Sequence, residues 1–156
     1  MRLLAIGRQR NAPEAALFAR YAGRIRPRLT LQEFAEGTGS PAEIKHREAA
    51  TLLAAVTPRD FVIALDSGGP APDSPALAAL LARWLESGRR PAFIIGGAEG
   101  LDAAVIARAD ALLSLGPLTW PHLLARAMLA EQLYRAQMIT SGHPYHRAGR
   151  PSGMKP

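Results

Sequence analysis

Apolar positions along this chain alternate between short continuous runs and stripes at helical spacing. Arg2 to Gly7 reads as a short buried strand. Arg8 to Pro13 follows as a loop, and Pro13 suits the first turn of a helix, where its missing N–H costs nothing. From Glu14 the apolar residues Leu17, Phe18, Tyr21 and Ile25 recur at helical spacing, with Arg20, Arg24 and Arg28 on another face. Pro27 is expected to close that helix. Leu29 to Phe34 alternates as a strand. Ser40-Pro41-Ala42-Glu43 has the form of a capping box and starts a helix running to about Val56.

Phe61 to Leu65 is continuously apolar, which predicts a strand buried on both faces. It ends in the turn Asp66-Ser67-Gly68-Gly69-Pro70. Asp73 or Ser74 caps a helix carrying Leu77, Leu80, Leu81, Trp84 and Leu85, which stops at Gly88. Ala92 to Ile95 is the fourth strand, and Gly96-Gly97-Ala98-Glu99-Gly100 leads from it to a short helix from Leu101 to about Arg108. Ala111 to Leu115 is the fifth strand, and the last helix runs from Pro121 to about Ile139. Strands and helices alternate almost throughout. That pattern predicts an α/β fold, a mostly parallel sheet with helices on both faces.

Composition narrows the class. A length of 156 residues fits one domain with a real core. We place that domain at residues 1–147 and expect residues 148–156, rich in Gly, Pro and charge, to be a disordered extension. No apolar run has the length of a membrane span, and no signal-peptide pattern is read at the N-terminus. The chain has no cysteine, which excludes a disulfide framework, a thiolate metal site and a cysteine nucleophile. A cytoplasmic protein without a membrane or metal partner is expected. The net charge is +6, nearly all the cations being arginine, and such a surface fits either a polyanionic partner or a composition that uses arginine wherever a surface cation will do.

Three successive strands end in glycine-rich loops, at Leu65 to Pro70, Gly96 to Gly100 and Leu115 to Pro121. Ligands of open α/β sheets bind beyond the carboxyl ends of strands, so three such loops suggest one shared pocket. The Gly96 loop lacks the Gly-x-Gly-x-x-Gly spacing of a dinucleotide site, and no loop continues into Gly-Lys-Ser/Thr. This disfavours a nucleotide-cofactor oxidoreductase.

Four ordered motifs carry a resemblance. They are Phe93 to Leu101 (FIIGGAEGL), Leu113 to His122 (LSLGPLTWPH), Leu129 to Ala136 (LAEQLYRA) and His143 to Arg147 (HPYHR). Together they resemble the ribosomal RNA large-subunit methyltransferase H family, small SPOUT-class enzymes. The resemblance spans essentially the whole chain and is specific from Leu65 onward. It implies a C-terminal trefoil knot that binds S-adenosylmethionine, and methylation of N3 of a pseudouridine in large-subunit (23S) ribosomal RNA. It also implies action on the assembled ribosome by a homodimer, with the partner's C-terminal tail completing the site. The family's cofactor positions fall on Leu65, Gly96, Leu115, Gly116, Pro117, Leu118, Thr119 and Trp120. Departures from the family pattern are Ala98 for a common proline, Gly142 for a common asparagine, Trp120 for Phe or Leu, and the tail beyond Arg147. The alternative is a non-catalytic RNA- or ribosome-binding module of the same fold, which would have no need of the cofactor loops.

Candidate catalytic residues lie in the tail. Methyl transfer to N3 needs a group to take its proton, and His143 and His146 have the intrinsic pKa for it. His143 could instead shape the turn at Pro144. Tyr145 could stack on or hydrogen-bond the target base, or pack on its own subunit. Arg147 and Arg150 could neutralise phosphates, though Arg150 reads more simply as a solvated tail charge. Glu131 and Arg135, four apart, can pair on the helix surface. Arg126 lies on a semi-apolar stripe and should seek a carboxylate across an interface or a phosphate. The cluster Arg20, Arg24, Arg26 and Arg28 is read as a solvated face, or as an extension of the RNA footprint.

Overall fold

Five strands and five helices alternate in a computed structural model that describes residues 1–8 and 12–146. The elements are β1 (Arg2–Ile6), α1 (Pro13–Ala22), β2 (Thr30–Phe34), α2 (Pro41–Ala55), β3 (Asp60–Leu65), α3 (Ser74–Glu86), β4 (Arg90–Ile95), α4 (Ala103–Arg108), β5 (Ala111–Leu113) and α5 (His122–Thr140). The sheet order is β2-β1-β4-β3-β5, and every pairing is parallel. The register sets Leu3 and Ile63 on either side of Phe93, and Leu65 beside Leu113.

Two apolar layers sandwich the sheet. One side packs Leu3, Ala5, Ile63, Phe93 and Leu113 against α1, α3 and α5. The other packs Leu4, Ile6, Val62, Ala64 and Ile94 against Ala49 and Leu52 of α2 and Val105 of α4. This double cover is why the central strands are continuously apolar. Each fully buried Leu, Ile or Phe contributes roughly 1.5–3 kcal/mol over its exposed state. α5 is apolar over much of its circumference because it is buried against both α1 and α3. Its alanines at 125, 127, 130 and 136 let those neighbours approach.

Several element ends depart from the sequence pattern. α1 stops at Ala22, capped at Gly23, rather than running to Pro27; Ile25 is fully buried from a loop, so its apolar spacing mimicked another helical turn. α4 starts after Asp102, whose side chain accepts from the Ala104 N–H, so Leu101 belongs to the loop. β5 ends at Leu113, because the Ser114 N–H turns to the carbonyl of Pro70. The capping box at Ser40 and Glu43 forms as expected. At the other end of the chain, Gly142 sits at φ 67. Its N–H donates to Ile139, and the His143 N–H to Met138, which closes α5 in a Schellman turn. Glycine and asparagine both tolerate that left-handed position, which accounts for the first replacing the second here.

Candidate active site

β4, β3 and β5 are neighbours, so the loops after them lie side by side at one end of the sheet. A cleft of about 200 Å³ opens there. Leu65, Gly96, Leu115, Gly116, Leu118, Thr119 and Trp120 line it, and Pro117 does not. The lining also takes in residues the sequence reading did not assign to the cofactor, chiefly Asp66, Ser67, Ile95, Leu101, His122 and Ala125. Asp66 and Ser67 stand in a turn already marked by its glycines. Leu101 and Ala125 carry no chemical signal, and only the packing reveals them.

The loops are fastened to one another. The Asp66 N–H donates to the Leu113 carbonyl at 3.0 Å, and the Ser114 N–H to the Pro70 carbonyl at 2.8 Å. The Asp66 carboxylate accepts from the Gly68 N–H at 2.8 Å. Ser114 Oγ donates to the Gly116 carbonyl and accepts from the Gly116 N–H. Gly116 holds φ 105, and a side chain there would meet only open space. Gly96 is different. A Cβ on it would stand 3.0 Å from the backbone carbon of Gly100 and 3.0 Å from Leu101 Cδ2. Its small size is therefore demanded by the closing of the 96–100 loop itself, and not simply by room for a ligand.

Between Leu115 and Trp120 the backbone makes few bonds of its own. Among the described residues, the N–H groups of Leu115, Leu118, Thr119 and Trp120 find no partner within the chain. Leu118 is 65% exposed and Trp120 36%, an unusual display for apolar side chains. The strand-end cleft thus offers open donors and acceptors beside apolar walls.

His122 begins α5 and faces the cleft. A Cβ on Gly7 would lie 2.7 Å from its Nε2, and Gly7 sits at φ 93, so the chain after β1 passes directly against the imidazole. One turn on, Arg126 is wholly buried. Its guanidinium donates to Glu33 at 2.9 Å, to the Gly7 carbonyl at 3.0 Å and to the Ile6 carbonyl. The partner expected across an interface, or as a phosphate, is instead a carboxylate of the same chain. Burial holds its pKa below the usual arginine range, against the opposing pull of Glu33 and Glu36.

The tail folds back on α5. The Tyr145 hydroxyl donates to Glu131 at 3.0 Å, and its ring meets Tyr134 edge-on at 4.9 Å and lies under Arg135 at 5.0 Å. Glu131 also accepts from Arg135. Burial, then hydrogen bonds to Tyr21 and Glu131, push the Tyr145 pKa well above its ordinary value. His143 Nδ1 accepts from the Tyr145 N–H at 3.2 Å, and His146 Nδ1 is shielded without a partner among the described residues. Glu131 lies nine residues past His122, about 13 Å along the helix at 1.5 Å per residue. Within one chain, then, the tail is clasped away from the cleft. Arg147, Arg150 and the 148–156 extension fall outside the described residues. In the arginine cluster, Arg20 and Arg24 lie over Tyr21 and Tyr134, each at 5.9 Å, and Arg26 bonds the carbonyls of Gly23 and Ile25.

The family model described as "Predicted SPOUT methyltransferase" matches residues 1–146. Ribosomal RNA large subunit methyltransferase H of Acidiphilium cryptum is 64% identical over 151 residues, covering 97% of this chain and 96% of the relative. The protein of the same name from Gluconacetobacter diazotrophicus is 61% identical over 152 residues, covering 97% of this chain and all of the relative. A solved Haemophilus influenzae structure, titled as a "probable methylase family protein", superposes with a TM-score of 0.54. At 9% identity, covering 97% of this chain and 72% of that one, it bears on the fold alone. On the match of nearly its whole length to these relatives, the chain belongs to the SPOUT methyltransferase family, in the group named ribosomal RNA large subunit methyltransferase H.

Proposed function

We propose that this protein transfers a methyl group from S-adenosylmethionine to N3 of a pseudouridine in large-subunit ribosomal RNA, on the assembled ribosome in the cytoplasm. The observation that carries the reading is the set of open backbone N–H groups at Leu115, Leu118, Thr119 and Trp120, beside Leu65 and Gly96 at the strand ends. Open amides and carbonyls in that loop suit the edge of an adenine, and Leu65, Leu115, Leu118 and Trp120 suit its faces. Asp66 sets a carboxylate in the cleft, where it can accept from hydroxyl or ammonium groups. When bound, the cofactor supplies an electrophilic methyl group on a sulfonium. The protein's contribution is to hold donor and acceptor in line, an effect worth roughly 7–11 kcal/mol of barrier.

The tail residues His143, Tyr145, His146 and Arg147 complete the site from a second copy of the chain. Two features support this arrangement. The cleft of one chain is smaller than the roughly 300 Å³ at which small-molecule sites begin. The tail of the same chain is fastened to the middle of α5. His143 Nδ1 is engaged by the Tyr145 N–H. The neutral ring therefore carries its proton on Nε2, which makes His146 the better acceptor for the N3 proton. Tyr145 holds the tail in place, and Arg147 meets phosphate.

Methyl transfer decides the matter. Ribosomes from a strain lacking this activity, incubated with the protein and radiolabelled S-adenosylmethionine, should yield N3-methylpseudouridine on nucleoside mass analysis. Absence of transfer, with the protein folded, overturns the enzymatic reading in favour of a binding module. Sedimentation should give a dimer, and a mixed dimer of a cleft variant with a tail variant should regain one working site. The trefoil knot belongs to the same reading. α5 turns back from the edge strand β5 onto α1 and α3, and the 114–121 loop is tied to the 66–70 loop. Pulling the chain from its two ends should give a final length short of full extension if that knot tightens.

A further inference from the structure

At the other end of the sheet, residues 57–59 and 88–90, the latter running into the start of β4, form the sides of an open groove lined by Arg59, Arg89 and Arg90. We propose that this groove is a second docking surface for RNA, taking backbone phosphates away from the methyl-transfer cleft. The inference rests on the ribosomal RNA substrate proposed above.

The groove is built rather than incidental. Asp60 is fully buried at the start of β3, and it fixes Arg90 through Nε at 2.8 Å. Both terminal nitrogens of Arg90 are left without a partner among the described residues. Asp110 holds Arg89 through Nη2 at 2.9 Å, and the Phe61 ring lies 4.8 Å beneath its guanidinium. The Nε and Nη1 of Arg89 have no partner among the described residues. The Arg59 guanidinium makes no hydrogen bond or ion pair among the described residues, and the residue is exposed. Gly88, at φ 74 with nothing near its missing Cβ, keeps the space between them clear.

Anchored guanidiniums with spare donors match phosphate oxygens at low entropic cost. Arg2 and Arg108, on the far sides of Asp60 and Asp110, leave each carboxylate shared by two arginines. The acids therefore orient the cluster without cancelling it. Gly96 follows Arg90 by six strand residues, so the groove stands about 20 Å from the cleft at 3.3 Å per residue. A ligand engaging both ends must be long, which suits a ribosomal RNA better than a free nucleotide.

Arg59 is the residue to change, because no other described group depends on its side chain. Binding of the full-length protein, with S-adenosylmethionine present, is measured on unmodified ribosomes and on protein-free large-subunit rRNA across a salt series. Arg59→Ala should weaken both about 3-fold, in line with one exposed ion pair. Arg59→Glu should weaken both about 10-fold, and the slope of log affinity against log salt should fall by about 1. Arg59→Lys should restore most of the loss. The KM for ribosomes should rise with kcat, cofactor affinity and thermal midpoint unchanged. Unaltered affinity and slope in Arg59→Glu overturn the proposal. So does a loss on ribosomes with none on protein-free rRNA, which assigns the groove to an acidic protein. If the wild type binds rRNA through Arg59 yet transfers no methyl group, the enzymatic reading fails and the groove stands.

Discussion

Arg126 and Glu33, 93 residues apart, meet at 2.9 Å and tie the second turn of α5 to β2. The same guanidinium closes the end of β1 through the carbonyls of Ile6 and Gly7. One buried side chain thus fixes the start of α5 against two strands, beside His122 and the cleft. Removing it takes the guanidinium from Glu33 and from the carbonyls of Ile6 and Gly7 together. Arg126→Ala should cost about 3–5 kcal/mol, the range for breaking a buried pair. Arg126→Lys should recover little, because one ammonium cannot span three acceptors held in a fork. Urea unfolding with fixed slope checks both, and a loss under 1 kcal/mol in Arg126→Ala would refute the anchoring role.

The ion pairs at the opposite sheet end set the acid limit of stability. Burial alone would raise the Asp60 pKa, but hydrogen bonds from Arg90 and Thr57, with the Arg90 charge, hold it below its ordinary value. Asp110 behaves alike: burial is outweighed by the Val62 N–H and by Arg89 and Arg108. Depressed folded pKa values mean stability that is complete above the unfolded value, about 4, and lost as pH falls through the folded one. Acid unfolding should therefore start below about pH 4. Asp60→Asn should flatten that acid dependence and lower stability at pH 7, measured by denaturation at several pH values. An unchanged acid profile would remove Asp60 from this role.

Most of the fold was legible because burial on two faces writes itself plainly. Continuous runs such as Phe61 to Leu65 and the capping box at Ser40 leave little choice. β5 was overrun because its ladder ends where the Ser114 N–H turns to Pro70, and the two helix ends were misplaced where an apolar residue is buried from a loop. Ile25 and Leu101 have helical or strand-like neighbours, and only tertiary packing tells them apart. For the cleft, the glycines announced the loops but not the reason for each. Gly116 needs its φ, Gly96 needs its own loop to close, and Gly7 makes way for an imidazole over a hundred residues on. The clasp of Tyr145 by Glu131, Tyr134 and Arg135 was one of two readings the sequence left open. The groove at Arg59 had no local signal, since its sides come from separate loops.

Tyr145 offers a separation of holding from chemistry. Its raised pKa keeps it a phenol through the working range, so it donates to Glu131 and cannot serve as a base near neutrality. Tyr145→Phe keeps the ring on Tyr134 and loses only the hydroxyl. It should cost about 0.5–1.5 kcal/mol of stability and lower methyl transfer several-fold without moving the pH–rate profile. A shift of the alkaline limb in Tyr145→Phe would show that the phenol itself titrates in the reaction.

Gly96 and Gly116 should fail in different ways. A methyl on Gly96 meets the Gly100 backbone at 3.0 Å, so the 96–100 loop must move. Gly96→Ala should lower both the thermal midpoint and the affinity for S-adenosylmethionine, and Gly96→Val should abolish binding. A methyl on Gly116 enters open space but strains a backbone at φ 105, a cost of about 1–3 kcal/mol. Gly116→Ala should weaken cofactor binding by 10-fold or so, either through that strain or by occupying the cleft. Calorimetry paired with thermal unfolding separates the two. Unchanged affinity in both variants would place the cofactor somewhere other than beyond the ends of β3, β4 and β5.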